Sequence, residues 1–284
     1  MDKLTLVSCL GENTYPICAL LAEHLSASLG LECHFDTETP WQQACGQLAT
    51  GHIPLGWICG LLYTRQHDAT PTGCYRILGK PIFSGQTSAT YHAKLVVHRD
   101  SPYQQIHDLH GKRLVINEPG SYSGNHALWA WLAGLPLTPP HFACMLASGS
   151  HAASLRMLAQ GEADLAAIDH TVFGYWQTSG GAERQAIMQS LRVIGQTADA
   201  PAPPWLMHRS VPAELFAHVQ TLLLGLHQTA LSPALRAAGL ERIVPATDSD
   251  YDPLRAAYQR SLHLQASLPP NCANTSGRHQ TVPW

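Results

Sequence analysis

A short loop of serine and glycine residues stands directly in front of an apolar helix, and such a loop could bind an oxyanion. Ser121 and Ser123 bring hydroxyl donors, while Gly120 and Gly124 let the backbone approach a ligand closely. The loop follows the apolar run "GKRLVIN" and precedes "ALWAWLAG". Because helix N-termini carry unpaired N–H groups and a partial positive charge, this order favours a bound anion. A serine in such a loop is also a frequent helix N-cap, so both interpretations stay open.

Two further residues could take part in acid–base chemistry or in hydrogen bonding to a ligand. His151 begins a predicted helix, and Asp169 ends a predicted strand. Imidazole and carboxylate groups are the usual partners in general acid–base catalysis. The alternatives are structural, with His151 as a helix cap and Asp169 as an acceptor for the amides of its own loop.

Three segments share an order of elements that would position these residues. Each has an apolar run, a loop of small or polar residues, and then an amphipathic stretch, in about residues 3–30, 111–134 and 141–169. This order is typical of a strand followed by a helix, and it predicts an α/β fold with parallel sheets flanked by helices. In the first segment Thr14 is a candidate N-cap and Gly30 a C-terminal stop.

The composition indicates a globular protein of about two domains and excludes several classes of partner. Of the 284 residues, 45% are hydrophobic and 13% charged, and the formal net charge is −3. Without a basic block, we expect neither nucleic acid nor an anionic membrane surface as a partner. No stretch approaches the roughly 18 apolar residues of a membrane helix, so membrane insertion is not expected. We also expect no cofactor.

The first residues, "MDKLTLVSCLGENTYPICALL", have the alternating pattern of a strand broken by glycine and asparagine. A signal peptide would instead have an uninterrupted apolar region. The sequence therefore predicts a cytoplasmic protein, with a periplasmic location as the alternative if a leader was removed.

Eight cysteines are spread from Cys9 to Cys272 without a CxxC pair. In a chain of this length the pattern favours buried free thiols in a reducing compartment over a disulfide framework. Cys33 with His34, or Cys9 with Cys18, could supply metal ligands, but their spacing matches no zinc site. We predict no metal site.

Several motifs in one order carry a resemblance to a known family. They are the segment Tyr91-His92-Ala93, the turn Arg99-Asp100-Ser101-Pro102, the turn "LHGKR" at residues 109–113, and the loop Ser121-Tyr122-Ser123-Gly124. A second block, "SGSHAASLRMLAQGEADLAAID", contains His151 and Asp169. Together these blocks resemble the substrate-binding proteins of phosphate, phosphite and phosphonate ABC transporters, over about residues 90–170.

The resemblance implies the two-lobed type II periplasmic-binding-protein fold. Each lobe would have a mixed, mostly parallel sheet flanked by helices, with the ligand cleft between the lobes. Lobe 1 would comprise residues 1–88 and 197–284, and lobe 2 residues 89–196. The lobes would close on the ligand by a hinge motion.

The resemblance also implies which residues bind the ligand. The anion would lie on the hydroxyls and backbone N–H groups of the loop, near His151, and Asp169 would meet a cationic or hydroxyl group at the ligand's other end. The residues that we predict to line the site are Asn13, Thr14, Trp57, Tyr63, Tyr91, Ser121, Tyr122, Ser123, Gly124, His151 and Asp169.

Two positions depart from the family's motifs. Tyr122 stands where the family has threonine, and Ala93 stands where it has serine. Each lost hydroxyl leaves a hydrogen bond to a buried anion unmade, at a cost of roughly 1–3 kcal/mol. The sequence therefore predicts a site modified for a larger or less charged ligand than a simple phosphonate.

Three functions remain open from the sequence. The first is a small-molecule binding protein without enzymatic activity that is specific for a phosphonate-like oxyanion. Its partner would be an ABC-transporter permease. The second is a cytosolic enzyme on the same fold, such as a chorismate-dehydratase-like lyase that would use His151 and Asp169. The third is a metal or metalloid sensor, which no spacing of possible metal ligands supports. The first is the prediction that we carry forward.

Overall fold

The structure, a computed structural model, describes residues 3–135 and 142–266. Cys272 lies outside this range. The strands are, in chain order, β1 (Lys3–Ser8), β2 (Glu32–Asp36), β3 (Leu55–Trp57), β4 (Tyr75–Phe83), β5 (Thr90–Tyr91), β6 (Ala93–His98), β7 (Arg113–Ile116), β8 (Cys144–Ala147), β9 (Leu165–Asp169), β10 (Leu191–Gln196), β11 (Ala200–Pro201), β12 (Trp205–His208) and β13 (Leu240–Val244).

The helices connect and cover these strands. The α-helices are α1 (Tyr15–Leu29), α2 (Trp41–Ala49), α3 (Gly60–Asp68), α4 (Ala127–Leu132), α5 (His151–Ala159), α6 (His170–Thr178), α7 (Ala182–Gln189), α8 (Ala213–Gly225), α9 (Ser232–Ala237) and α10 (Asp252–Gln265). A π-helix, Tyr122–His126, leads into α4. Among the described helices, none has the length and hydrophobicity that a membrane crossing requires.

The first sheet has six strands in the order β13-β4-β12-β3-β1-β2. The strands β2, β1 and β3 run parallel to one another, and β12, β4 and β13 join by antiparallel pairing. The alternating side chains of β1 bury its Leu4 and Leu6 fully in the core. After β1, the helix α1 ends at Gly30, whose φ of 66° is the left-handed conformation that the predicted stop requires.

The second sheet has five strands in the order β10-β6-β9-β7-β8. Here β9, β7 and β8 are parallel, while β10, β6 and β9 pair in antiparallel fashion. The predicted βα segments at residues 111–134 and 141–169 correspond to β7 with α4 and to β8, α5 and β9. Both sheets are therefore mixed, with helices packed against them.

The chain passes between the two sheets in residues 84–92 and 197–204, and these two connections pair with each other through β5 and β11. The crossing points that the sequence predicts, near residues 88 and 197, fall in these connections. The exact division into lobes stays a prediction.

Helix α10 contacts both halves of the molecule. The Arg255 Nη2 atom lies 2.7 Å from an Asp68 carboxylate oxygen on the side of the first sheet. On the side of the second sheet, Ser261 Oγ lies 2.7 Å from His126 Nδ1. The predicted assignment of the whole C-terminal part to lobe 1 does not account for this second contact.

Two cysteines that we predict as free thiols are joined in a disulfide. Cys9 follows β1 and Cys45 lies in α2, with Cα atoms 6.4 Å apart. The prediction was wrong for this pair because the fold packs α2 beside the carboxyl end of β1, which sequence spacing does not reveal. Cys18, Cys33, Cys59 and Cys74 are free thiols.

Candidate ligand-binding site

A cavity of about 420 Å³ lies between the two sheets, where β1, β3, β7, β8 and β9 reach their carboxyl ends. Ligands in α/β folds with parallel strands commonly bind at this edge. Of the residues predicted for the site, those that line the cavity are Asn13, Thr14, Trp57, Tyr91, Ser121, Ser123, His151 and Asp169.

The serine loop sits at the start of the π-helix and presents both hydroxyls to the cavity. Ser121 is the N-cap, and its Oγ accepts a hydrogen bond from the Gly124 N–H at 3.1 Å. Ser123 Oγ lies 3.1 Å from His151 Nε2. Ser121 therefore caps the helix, while Ser123 stays next to the cavity. The helix-cap role of the loop does not exclude an anion site in the same loop.

Tyr122 and Gly124, also predicted for the site, are not among the residues that line the cavity, so their contact with a ligand stays a prediction. A Cβ atom at Gly124 would lie 1.8 Å from Asn117 Oδ1, so any larger residue there would have to displace the Asn117 side chain. Tyr122 is buried, and its ring centroid lies 6.1 Å from that of Tyr91.

His151 begins α5 but does not cap it. The cap is Ser150, whose Oγ accepts a hydrogen bond from the Ala153 N–H at 3.1 Å. The Nδ1 atom of His151 is buried and has no hydrogen-bond partner in the described structure. Burial lowers the pKa of His151, so the imidazole is neutral at physiological pH and one ring nitrogen is free for a ligand.

Asp169 caps α6, in agreement with the interpretation that its carboxylate accepts hydrogen bonds from the amides of its own loop. Its Oδ1 accepts hydrogen bonds from the Thr171 N–H at 2.9 Å and from the Thr171 hydroxyl at 2.7 Å. The Nδ2 group of Asn13 in turn donates to Thr171 Oγ1 at 3.0 Å. This chain of contacts ties the loop after β1 to the second sheet across the cavity.

The other predicted lining residues contribute in different ways. The Thr14 hydroxyl donates to the Gly11 carbonyl at 2.8 Å, so it holds the loop after β1 rather than capping α1. Trp57 stacks on Trp205, with ring centroids 4.5 Å apart. Tyr91 is 2% exposed, and burial raises the pKa of its hydroxyl. Trp57 and Tyr91 give the cavity a fixed aromatic wall.

Tyr63 lies outside the cavity, and its predicted place in the site is corrected. Its hydroxyl donates to Asp248 Oδ1 at 2.7 Å, and its ring packs against Tyr251. The residue belongs to α3, whose second turn faces the core, so Tyr63 is fully buried there.

Several lining residues that follow closely on strand ends are not among the residues predicted for the site. They are Cys9 after β1, Cys59 close after β3, Asn117 and Glu118 after β7, and Gly149 with Ser150 after β8. Their signal is positional: the residues directly after each parallel strand meet at one edge of a sheet. Trp41, Phe83, Arg156 and Trp176, which also line the cavity, give no such signal.

Charged groups of both signs line the cavity. Arg65 is exposed and, in the described structure, has no carboxylate partner; it lies near Gly120 of the serine loop. Glu12 pairs with Arg184 at 2.8 Å. Glu118 is half-buried, and burial raises the pKa of its carboxyl to about 7. The cavity therefore offers uncharged donors from the serine loop and His151, with the Arg65 cation at its edge.

Four buried polar atoms without a hydrogen-bond partner in the described structure belong to lining residues. They are Asn13 Oδ1, Tyr91 OH, His151 Nδ1 and Trp176 Nε1. Buried polar groups are normally paired, so a cluster of unpaired ones around a cavity is typical of a binding site. Over the described residues, no group of His, Cys, Asp and Glu side chains could hold a metal ion.

A family model decides between the candidate classes of function. Residues 11–251 match the model of the family described as "ABC transporter, phosphonate, periplasmic substrate-binding protein". The chain belongs to this family. It is therefore a ligand-binding receptor of the phosphonate type, in a family of transport proteins that are periplasmic in ABC systems. Membership does not favour the lyase or the metal sensor.

Solved structures show the same fold. PhnD1 from Prochlorococcus marinus in complex with methylphosphonate has a TM-score of 0.77 and 16% identity, with 91% of this chain and 98% of that chain covered. A binding protein component of an ABC phosphonate transporter from Pseudomonas aeruginosa has a TM-score of 0.76 and 12% identity, covering 96% and 91%. A Xanthomonas citri protein bound to ATP has a TM-score of 0.67 and 15% identity, covering 95% and 100%. The receptor thus has the type II periplasmic-binding-protein fold.

Proposed function

We propose that this receptor binds a phosphonate in the cavity between its lobes and delivers it to the permease of an ABC transporter. The observation that carries the proposal is the convergence of Ser121, Ser123 and His151 on one cavity, at the N-terminal end of the helix that follows β7. Hydroxyls, a neutral imidazole and helix N–H groups are donors suited to phosphonate oxygens.

The lobes would close on the ligand by bending at the two paired connections, residues 84–92 and 197–204. The Asn13–Thr171 and Glu12–Arg184 pairs cross the cavity, so they would form on closure and break when the lobes open.

We further propose a periplasmic location. The family is periplasmic in ABC systems, and the Cys9–Cys45 disulfide is of a kind that persists in an oxidising compartment. A reducing compartment would favour the free thiols that the sequence alone suggests.

A thermal-shift screen with methylphosphonate, phosphate, phosphite, sulfate and small carboxylates tests the proposed ligand class. A ligand at about 100 times its Kd adds roughly 2.7 kcal/mol of stability, which raises the Tm by several degrees. We expect this rise with methylphosphonate and a clear loss of it in Ser123→Ala. Loss of one hydrogen bond to a buried anion costs roughly 1–3 kcal/mol, or about five- to 150-fold in affinity.

Ser28→Ala, on the exposed side of α1, is the matched control and should behave like the wild type. A Tm that no phosphorus oxyanion changes would refute the proposed ligand class. An unchanged response in Ser123→Ala would refute the proposed position of the anion.

A further inference from the structure

We propose that the ligand is a phosphonate whose substituent is uncharged, predominantly apolar and at least the size of a six-membered ring. This inference rests on the proposed phosphonate-binding function, and it adds the class of substituent. Three observations lead to it: the size of the cavity, its aromatic lining, and the state of its carboxylates.

The cavity is much larger than a one-carbon phosphonate. Its volume of about 420 Å³ falls in the range of roughly 300–1,000 Å³ that is typical of pockets for drug-sized ligands. One water molecule occupies about 30 Å³ in the liquid. A phosphonate head on the serine loop would therefore leave most of the cavity to its substituent.

The remaining lining combines rigid aromatic side chains with a few unpaired polar atoms, among them the Tyr91 hydroxyl and Trp176 Nε1. Trp57, Phe83 and Tyr91 are each less than a tenth exposed. Trp57 is fixed by its stacking on Trp205 and by a hydrogen bond from its Nε1 to the Pro203 carbonyl at 3.0 Å. Water next to such preformed walls is readily displaced by an apolar group, and aromatic side chains favour a flat ring as the occupant.

The carboxylates at the cavity are largely engaged with the protein, which disfavours an ammonium group on the ligand. Glu12 forms its ion pair with Arg184, and Asp169 accepts two hydrogen bonds from Thr171. Glu118 shares a hydrogen bond with Trp41, and its raised pKa keeps part of its population protonated at neutral pH. An uncharged substituent fits this lining.

Isothermal titration calorimetry with phenylphosphonate, methylphosphonate and 2-aminoethylphosphonate tests the inference. We expect phenylphosphonate to bind at least tenfold more tightly than either of the other two, because the ring buries apolar surface that they lack. If methylphosphonate or 2-aminoethylphosphonate binds as tightly as phenylphosphonate, the inference is wrong and the proposed function stands. If none of the three binds, the proposed function fails, and this inference fails with it.

A variant that fills the cavity locates the substituent. Leu62 lines the cavity from α3, and Leu62→Phe should lower the ratio of phenylphosphonate to methylphosphonate affinity at least fivefold. Leu262→Phe makes the same chemical change on the exposed face of α10 and should leave the ratio unchanged. Equal ratios in Leu62→Phe and the wild type would contradict the placement of the ring in this cavity, provided that both variants melt cooperatively.

Discussion

Ser123 and His151 form the polar contact on which the proposed site depends. Their side chains come from different elements, the π-helix and α5, and lie 3.1 Å apart. Because burial keeps the imidazole neutral, the anion would be held by hydrogen bonds from uncharged groups rather than by an ion pair. Ionisable side chains near the anion therefore have a large influence on the affinity of the protein for it.

Glu118 should make phosphonate binding depend on pH. Its carboxyl, three positions before Ser121, has a pKa of about 7, above the ordinary value, because it is half-buried. It is mostly protonated at pH 6 and mostly ionised at pH 8, where it repels the phosphonate. We expect Glu118→Gln to bind methylphosphonate more tightly than the wild type at pH 8 by about 1 kcal/mol, or roughly fivefold, and equally at pH 6.

Calorimetric titrations of both proteins between pH 6 and pH 8 measure this difference. The second ionisation of the phosphonate acts in the same direction, because an ionised Glu118 repels a dianion more strongly than a monoanion. A ratio that stays constant over this range would show that Glu118 does not sense the anion.

At the scale of elements, the Cys9–Cys45 disulfide ties the end of β1 to α2 beside the cavity. It closes a loop with a sequence separation of 36 residues. A cross-link of this span restricts the unfolded chain and is worth about 2–4 kcal/mol. We expect the double variant Cys9→Ala/Cys45→Ala to lose that much free energy of unfolding, as measured by urea denaturation under oxidising conditions.

Cys74→Ala is the control for loss of a sulfur atom, since Cys74 is a free, partly buried thiol. It should change the free energy of unfolding by about 1 kcal/mol or less. A double variant as stable as this control would contradict a stabilising role for the disulfide.

The sequence predicts the elements better than it predicts their contacts. Apolar runs, loops and amphipathic stretches identify β7 with α4 and β8 with α5, and the stop at Gly30 is confirmed by its positive φ. The contact of Asn117 with Gly124 and the pairing of Cys9 with Cys45 depend on how separate elements pack. No local pattern reports such packing.

The same limit applies to the site. Ser123 and His151 are accessible to prediction because family motifs contain them and both stand at helix starts. Tyr63 is misplaced because an aromatic residue after a strand can face either the core or a cleft, and the packing of α3 decides between them. Trp176, on α6, lines the cavity, but no pattern in the sequence marks it as a site residue.

At the scale of the molecule, contacts across the cavity hold the two halves together. The Glu12–Arg184 ion pair joins the loop after β1 to α7, with Arg184 also lying over the ring of Trp176. Helix α10 adds a further connection through Ser261 and His126. Closure of the lobes therefore involves these side chains as well as the two paired connections.

Loss of the Glu12–Arg184 pair should weaken ligand binding by making the closed form less stable. Partly exposed ion pairs contribute about 0.2–1 kcal/mol, so we expect Glu12→Gln to raise the Kd for methylphosphonate by about two- to fivefold. Glu23→Gln, with the same change of charge on an exposed position of α1, should have no effect. Equal Kd values for the two variants would exclude a role of the pair in closure.

A crystal structure of the protein grown with methylphosphonate is the most direct test of the central claim. We expect the ligand in the cavity between the sheets, with phosphonate oxygens within hydrogen-bond distance of Ser121, Ser123 and His151. Phosphonate bound elsewhere, or an anion in the cavity that avoids these three residues, would contradict it.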